Sequence, residues 1–224
     1  MTTHVLRPAT AASERTDARS RWRHDRVVSG VLLFALAAQF MTAIMLAASM
    51  APDHDPIDGA ISDLGVIPSS SVLFNVSLVV TGLLNLVAGY LLYRSHRRRW
   101  VLVVFTLAAL GAAGAGIVPL DVSGAHGLFA MLGFVCFNLE PLALGSLVRG
   151  PMRVISYLAA VVGLLFVGVM VVGDGGDPSV FGAIGHGGAE RMIVYPVMLW
   201  MMAFGGYLMA DAGDAMTTDT GDRP

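Results

Sequence analysis

The stretch VVSGVLLFALAAQFMTAIMLAAS, residues 27–49, contains no charged side chain. At a helical rise of about 1.5 Å per residue, a run of this length crosses the roughly 30 Å hydrocarbon core of a bilayer. The run also exceeds the apolar core of a secretory signal, which is about 7–15 residues long. We therefore expect it to be retained as a membrane-spanning helix.

Five further apolar runs of similar length follow it along the chain. The six predicted spans are Val27–Ser49, Val72–Tyr93, Trp100–Leu120, His126–Val148, Val154–Val172 and Met192–Ala210. The composition agrees with this reading, because 55% of the residues are hydrophobic and only 13% are charged, about half the charged share of soluble domains. The sequence predicts an all-α polytopic membrane protein, a bundle of six transmembrane helices.

The basic residues predict how the bundle is oriented. All fourteen are arginine: six precede the first span, four lie in Arg94–Arg99, two in Arg149–Arg153, one in the C-terminal tail, and Arg191 alone falls on the other side. By the positive-inside rule both termini are cytoplasmic, in a cell (plasma) membrane protein. The polar tails, residues 1–26 and 211–224, are expected to be disordered on either side of a transmembrane domain at 27–210.

Several function classes are excluded or disfavoured by the composition. A net charge of −2 argues against nucleic-acid binding, and the single cysteine, Cys136, excludes an intramolecular disulfide and a thiolate metal cluster. The chain has no Walker loop, HExxH or GxSxG motif. The sequence predicts no cofactor and indicates no oligomeric state.

Two residues at a short outer turn form the first candidate site. Asp121 ends the third predicted span and His126 begins the fourth, with a five-residue turn, Asp121–Ala125, between them. A carboxylate beside an imidazole can orient a general base or a metal-bound histidine. The alternative is helix capping, in which Asp121 or Ser123 accepts the free N–H groups at the start of the fourth span.

Arg191 is the one basic residue on the predicted outer side, next to Glu190 at the start of the last span. A helix N-terminus disfavours a cation, so a compensating partner is expected. The available carboxylates are Asp63, Asp121 and Glu190. The network is either a structural clamp between loops or an anion site for a lipid phosphate or a carboxylate substrate.

Three outward histidines allow a metal alternative. His54, His126 and His186, with Asp63 or Asp121, would supply three nitrogens and one oxygen to zinc. Their spacing follows no zinc motif, and no metal site is predicted.

Glu140 is the ionisable residue within the fourth span, followed by Pro141. A carboxylate in the bilayer is costly and is expected to face the bundle interior. The possible polar partners are Asn85, Asn138 and Gln39. Glu140 either holds helices together or belongs to a proton or substrate path.

The motif Ile61-Ser62-Asp63-Leu64-Gly65, Asp121 with His126-Gly127, and Glu190-Arg191 resemble the family catalogued as domain of unknown function 998. The resemblance runs from about Val27 to Ala210 and implies a six-span architecture without an activity. More loosely, the chain is similar to the Frag1/DRAM/Sfk1 group, which implies lipid-related roles. Together these resemblances mark a candidate binding set: Ser62, Asp63, Asp121, His126, Glu190 and Arg191.

Three hypotheses of function follow from these residues. The leading one is a non-enzymatic membrane protein whose outer network of Asp63, Asp121, His126 and Arg191 binds a lipid headgroup. The second is a membrane-embedded lipid hydrolase or lipid-modifying enzyme, with His126 as base or metal ligand and Asp121 orienting it. The third is a small proton-coupled transporter that uses Glu140. Whether the protein is an enzyme is left open by the sequence, and the expected partner is a membrane lipid.

Overall fold

The computed structural model describes residues 9–122 and 124–217, and their side chains from 20 to 122 and from 124 to 210. In this part of the chain all regular structure is helical. Six α-helices are joined by loops and two short 3₁₀ segments, Ser62–Gly65 and Pro178–Ile184. The helices are α1 (Ala9–Ser49), α2 (Ser71–His96), α3 (Arg99–Ile117), α4 (Ala125–Gly145), α5 (Pro151–Asp174) and α6 (Gly185–Thr217). The predicted all-α class is confirmed.

The helices form a closed ring in chain order. Each helix packs against the one before it and the one after it, and α6 returns to pack against α1. The closing contact is close, since a Cβ added to Gly205 on α6 would lie 2.5 Å from the carbonyl oxygen of Gly30 on α1. The start of α6 lies beside the segment that follows the end of α1, since Gly187 N–H donates to the carbonyl of Ile57, so these two helices are antiparallel. Small residues at helix crossings permit such backbone approach in membrane proteins.

All six helices contain segments long and apolar enough to cross a membrane. The outward face of α5 shows why such a surface suits lipid: Val154, Leu158, Val161 and Leu165 recur along one side of the helix and are each 58–62% exposed. A stripe of this kind facing water would be a strong aggregation hazard. The prediction of a six-helix membrane protein is confirmed, whereas the orientation of its termini stays a prediction.

The two ends of the bundle differ in their connections. One end carries the connections 50–70, 118–124 and 175–184, and we call it the long-loop end. We call the first of these connections, residues 50–70, the cap segment. Part of the cap segment is buried, with Leu64 0% and Ile61 2% exposed. This segment therefore packs into the long-loop end of the ring instead of extending away from it.

The helix boundaries differ from the predicted spans in two places that affect the candidate site. α6 begins at Gly185, seven residues before the predicted Met192. The glycine-rich composition of this stretch suggests a loop, but in the structure it forms the first turn of the helix. α3 ends at Ile117, three residues before the predicted Leu120. The outer connection between α3 and α4 is therefore longer than the five-residue turn expected from the sequence.

α1 begins at Ala9, within the predicted N-terminal tail at residues 1–26, and the disorder of the two tails stays a prediction. Near the start of the span, one ion pair joins α1 to α2 and one cation–π contact lies within α1. Arg94 Nε lies 3.2 Å from Asp25 Oδ2, and the guanidinium of Arg26 lies 4.7 Å from the ring centroid of Trp22. At the other end α6 continues to Thr217. Residues 1–8 and 218–224 lie outside the described part of the chain.

The glycine-rich stretch of α3 brings that helix against α4. A Cβ added to Gly111 would lie 2.3 Å from the backbone nitrogen of Gly133, which leaves no room for a side chain. Small residues at a helix crossing permit this close backbone approach. α3 is one member of the ring, packed between α2 and α4.

Candidate functional site

A cavity of about 70 Å³ lies inside the ring of helices. Five of the six helices and the cap segment contribute to its walls, which are almost entirely apolar. On α4 the lining extends from His126 to Asn138, a distance of about 18 Å along the helix axis. On α6 it extends from Glu190 to Met198. The cavity is therefore long and narrow, and its polar groups stand mainly at the long-loop end.

His126 is the buried polar residue at that end on α4, with 4% of its surface exposed. Its Nδ1 lies 2.8 Å from the carbonyl oxygen of Val118. Val118 follows the last residue of α3, where carbonyl groups have no partner within the helix. Among the described residues no group pairs with the other ring nitrogen, Nε2. The ring is thus oriented by one nitrogen, and its second nitrogen lacks a protein partner.

The predicted pair of Asp121 and His126 is not formed. Asp121 is exposed, and the position expected for its carboxylate beside His126 Nδ1 is taken by the carbonyl of Val118. The cause is the early end of α3, which carries Asp121 outward in the loop. Gly124 immediately precedes α4 and has no side chain that could cap it. Ser123, one of the two predicted caps, lies outside the described residues.

The Ser62–Gly65 turn at the mouth of the cavity is built from the Ile-Ser-Asp-Leu-Gly motif. Asp63 Oδ2 accepts the backbone N–H of Ala60 at 2.8 Å and so closes the start of the turn. Ile61 and Ser62 line the cavity. Gly65 is required by packing, because an added Cβ would lie 2.6 Å from Oδ1 of Asn75 on α2.

Glu190 connects this turn to α6. Its side chain is 4% exposed and lines the cavity, and Oε2 accepts a hydrogen bond from the backbone N–H of Ile61. The backbone N–H of Ser62 also faces the carboxylate. The free N–H groups at the start of a helical turn are natural partners for an anion. Glu190 is therefore held by the cap segment.

Arg191, the next residue, binds the cap segment through carbonyl oxygens. Its Nη1 donates to Pro56 at 2.8 Å, to Gly59 at 3.1 Å and to Gly187 at 2.8 Å. Its Nη2 lies 3.3 Å from Nε2 of His54. The predicted carboxylate partners are thus replaced by backbone oxygens, and the geometry is that of a clamp between loops.

A family model described as a protein of unknown function, DUF998, matches residues 30–207, well over half of the chain. The chain belongs to the DUF998 family. No curated protein and no solved structure matches it. The predicted membership is confirmed, while the looser similarity to the Frag1/DRAM/Sfk1 group stays a prediction.

The three histidines that are predicted to lie on the outer side of this DUF998 protein do not meet. His54 contacts Arg191, His126 contacts Val118, and Nε2 of His186 lies 3.1 Å from Asp174 on α5. In the described ranges no group of three histidine, cysteine or carboxylate residues could hold a metal ion. The zinc alternative therefore lacks its ligand set here.

Glu140 occupies a second polar cluster, deeper in the bundle. It is 0% exposed, and its Oε1 accepts from Nδ2 of Asn85 on α2 at 2.7 Å. Nδ2 of Asn85 also donates to the carbonyl of Phe105 on α3 at 3.2 Å, so the cluster joins three helices. Oε2 of Glu140 has no partner in the described part of the chain.

The other proposed partners of Glu140 point elsewhere. Asn138 donates to the carbonyls of Phe134 and Ile193, and Gln39 donates to the hydroxyl of Thr81 at 2.7 Å. The expected interior position of Glu140 is confirmed, with Asn85 as the partner.

Sequence reasoning missed the apolar part of the site in this DUF998 protein. Phe134, Phe137 and Met198 line the cavity, yet in the sequence they resemble any other apolar residues of a membrane helix. Their role depends on the gap between the helices, and the sequence pattern of one helix does not reveal such a gap. Val118 was also missed, since a backbone carbonyl has no signature in the sequence.

Proposed function

We propose that this DUF998 protein binds a membrane lipid, with an apolar chain in the central cavity and the polar head at the long-loop end. The observation that carries the proposal is His126, a buried residue whose Nε2 lacks a protein partner at the end of an apolar cavity. An acceptor left unpaired in such a place costs about 1–3 kcal/mol. A ligand that pairs with it recovers this cost. Apolar pockets with a few converging polar groups are typical binding sites.

The surroundings of the cavity support a lipid more than a water-soluble ligand. The protein has a lipid-facing surface, and the cavity lies among its membrane helices. Its shape, about 18 Å along α4 and narrow, matches one extended hydrocarbon chain. Asp121 and Arg191 leave the proposed binding set, because Asp121 is exposed and Arg191 holds loop carbonyls. Ser62, His126 and Glu190 form its polar end.

The alternatives have less support from the geometry. A hydrolase needs a nucleophile within hydrogen-bonding reach of its base, and among the described residues Nε2 of His126 has no hydroxyl within that reach. A proton-coupled path through Glu140 would have to leave the cavity, whose lining does not include that residue. A simpler account is that the polar residues around His126 bind the head of the ligand and that the Glu140 cluster holds helices together.

The experiment is lipid mass spectrometry on purified protein, comparing the wild type with two leucine variants. Ala115→Leu fills the cavity, because Ala115 lines it, whereas Ala203→Leu adds the same atoms on an exposed position of α6. We expect about one lipid per wild-type and A203L chain and a clear loss in A115L. No stoichiometric lipid in the wild type, or equal lipid content in all three proteins, would overturn the proposal.

A further inference from the structure

We infer that the lipid has a single chain and a hydrogen-bond-donating head, an uncharged alcohol and not a phosphate. This inference rests on the proposed function and concerns which lipid the cavity selects. It follows from the polarity of three side chains at the long-loop end and from the width of the cavity.

His126 lines the cavity and carries an acceptor without a protein partner. The carbonyl oxygen of Val118 can only accept a hydrogen bond, so the proton of this contact must be on Nδ1 of His126. In the neutral imidazole the other nitrogen then carries a lone pair and no proton. Nε2 therefore needs a donor, such as a hydroxyl group, from the ligand.

Glu190 adds a second acceptor at the same end. Its carboxyl group lines the cavity and already accepts the N–H of Ile61, and its oxygens are further hydrogen-bond acceptors. A phosphate placed here would lose its hydration in an almost wholly apolar cavity. A hydroxyl group would instead find acceptors on both α4 and α6.

The nearest cation is directed elsewhere. Arg191 Nη1 donates to Pro56 and Gly59 of the cap segment and to Gly187 of its own helix. Among the described residues that line the cavity there is no arginine. The site thus lacks the guanidinium that phosphate recognition uses. Freeing Arg191 for a phosphate would break two hydrogen bonds to the cap segment and one to Gly187 of α6.

The width of the cavity limits the ligand to one chain. A volume of about 70 Å³ corresponds to roughly five water-sized positions. Spread over the length between His126 and Asn138, these positions form a single file. One hydrocarbon chain fits this space, and two chains side by side do not.

The test compares three probes with the same oleyl or oleoyl chain on full-length protein in detergent. The probes are oleyl alcohol, its methyl ether, which lacks only the donor, and 1-oleoyl lysophosphatidic acid, which carries a phosphate. Displacement of co-purified lipid, measured by native mass spectrometry, reports affinity. We expect the alcohol to bind about tenfold more tightly than the ether and more tightly still than the phosphate.

A His126→Ala variant completes the design. In a folded variant the preference for alcohol over ether should fall to near one, because the acceptor is gone. The ratio of alcohol affinity to ether affinity in the wild type tests the inference even when the His126→Ala variant does not fold. Equal binding of alcohol and ether, or tighter binding of the phosphate, overturns the inference while leaving lipid binding intact. If the purified protein carries no lipid and binds none of the three probes, the proposed function itself is overturned.

Discussion

The carboxylate of Glu190 on α6 accepts the backbone N–H of Ile61, a residue 129 positions earlier in the chain. This bond helps to hold the cap segment over the cavity and places a carboxyl group at its mouth. The next residue, Arg191, also holds the cap segment, through Pro56 and Gly59. The two adjacent residues thus bind the same segment, Glu190 as an acceptor and Arg191 as a donor.

Removing the Glu190 carboxylate should destabilise the long-loop end. We expect Glu190→Ala to lower the free energy of unfolding by about 1–3 kcal/mol, because the N–H of Ile61 is left buried without a partner. Glu190→Gln keeps an acceptor oxygen and should lose less. Denaturation of the two variants in matched detergent measures the difference. Equal stability of both variants and the wild type would contradict the role given to this bond.

Arg191→Lys should loosen the cap segment without unfolding the bundle. A lysine ammonium does not reproduce the guanidinium geometry that serves three carbonyls and His54. Hydrogen exchange of residues 55–61 should become about tenfold faster. Arg149→Lys is the matched control, since Arg149 is exposed at the other end of the bundle. Unchanged exchange in the Arg191 variant would rule out the clamp.

The Glu140 cluster gives a prediction that separates packing from proton transfer. Asn85→Ala removes the hydrogen bond to a fully buried carboxyl group and should cost about 2–4 kcal/mol. Glu140→Gln retains an oxygen that accepts from Asn85 and should be much milder. Thermal unfolding of both variants tests this order. Transport would instead be supported if the wild type shows pH-dependent uptake into liposomes and a stable Glu140→Gln protein shows no such uptake.

The contact that closes the ring is testable with two neighbouring glycines. Gly205→Ala should destabilise by about 1–3 kcal/mol, because the new methyl group meets the carbonyl of Gly30. Gly206→Ala introduces the same group where nothing lies within 4 Å. It should be neutral or slightly stabilising, since alanine favours a helix over glycine. Similar effects of both substitutions would show that the α1–α6 approach is looser than described.

Stability should depend on pH through His54. Burial first, and then the neighbouring Arg191 guanidinium, lower the pKa of His54 below its usual value. Neutral His54 therefore contributes stability above the pKa of an unfolded histidine, about 6.5, and this contribution is lost as the pH falls below that value.

The measurement is the unfolding midpoint between pH 7.5 and 5.5. The wild type should lose slightly more stability on acidification than His54→Gln, which keeps an acceptor for Arg191 but does not titrate. An identical pH profile for the two proteins would count against the contact between His54 and Arg191.

The helical class and the six spans were predictable because each apolar run is a local property of the chain. A segment that is long and apolar enough has to satisfy its own backbone hydrogen bonds in lipid, and a helix does so without any partner. The same reasoning anticipated that Glu140 would face inward. None of these inferences required knowledge of which helices are neighbours.

The candidate site was predictable only in part. His126, Ser62 and Glu190 were named from the sequence and do meet at one cavity. Asp121 was placed wrongly, because its position depends on where α3 ends, and a shift of three residues moves it into the loop. Arg191 was expected to find carboxylates and found carbonyl oxygens, which every residue carries and no sequence pattern distinguishes.

The sequence by itself thus determined the number and approximate positions of the membrane helices and the polar residues available to a site, because both depend on composition over short stretches. Only the tertiary structure decided which of those residues act together. Closure of the ring set the gap that forms the cavity, and the cap segment set the partners of Glu190 and Arg191. Both depend on contacts between residues far apart in the chain, whose distances no local pattern encodes.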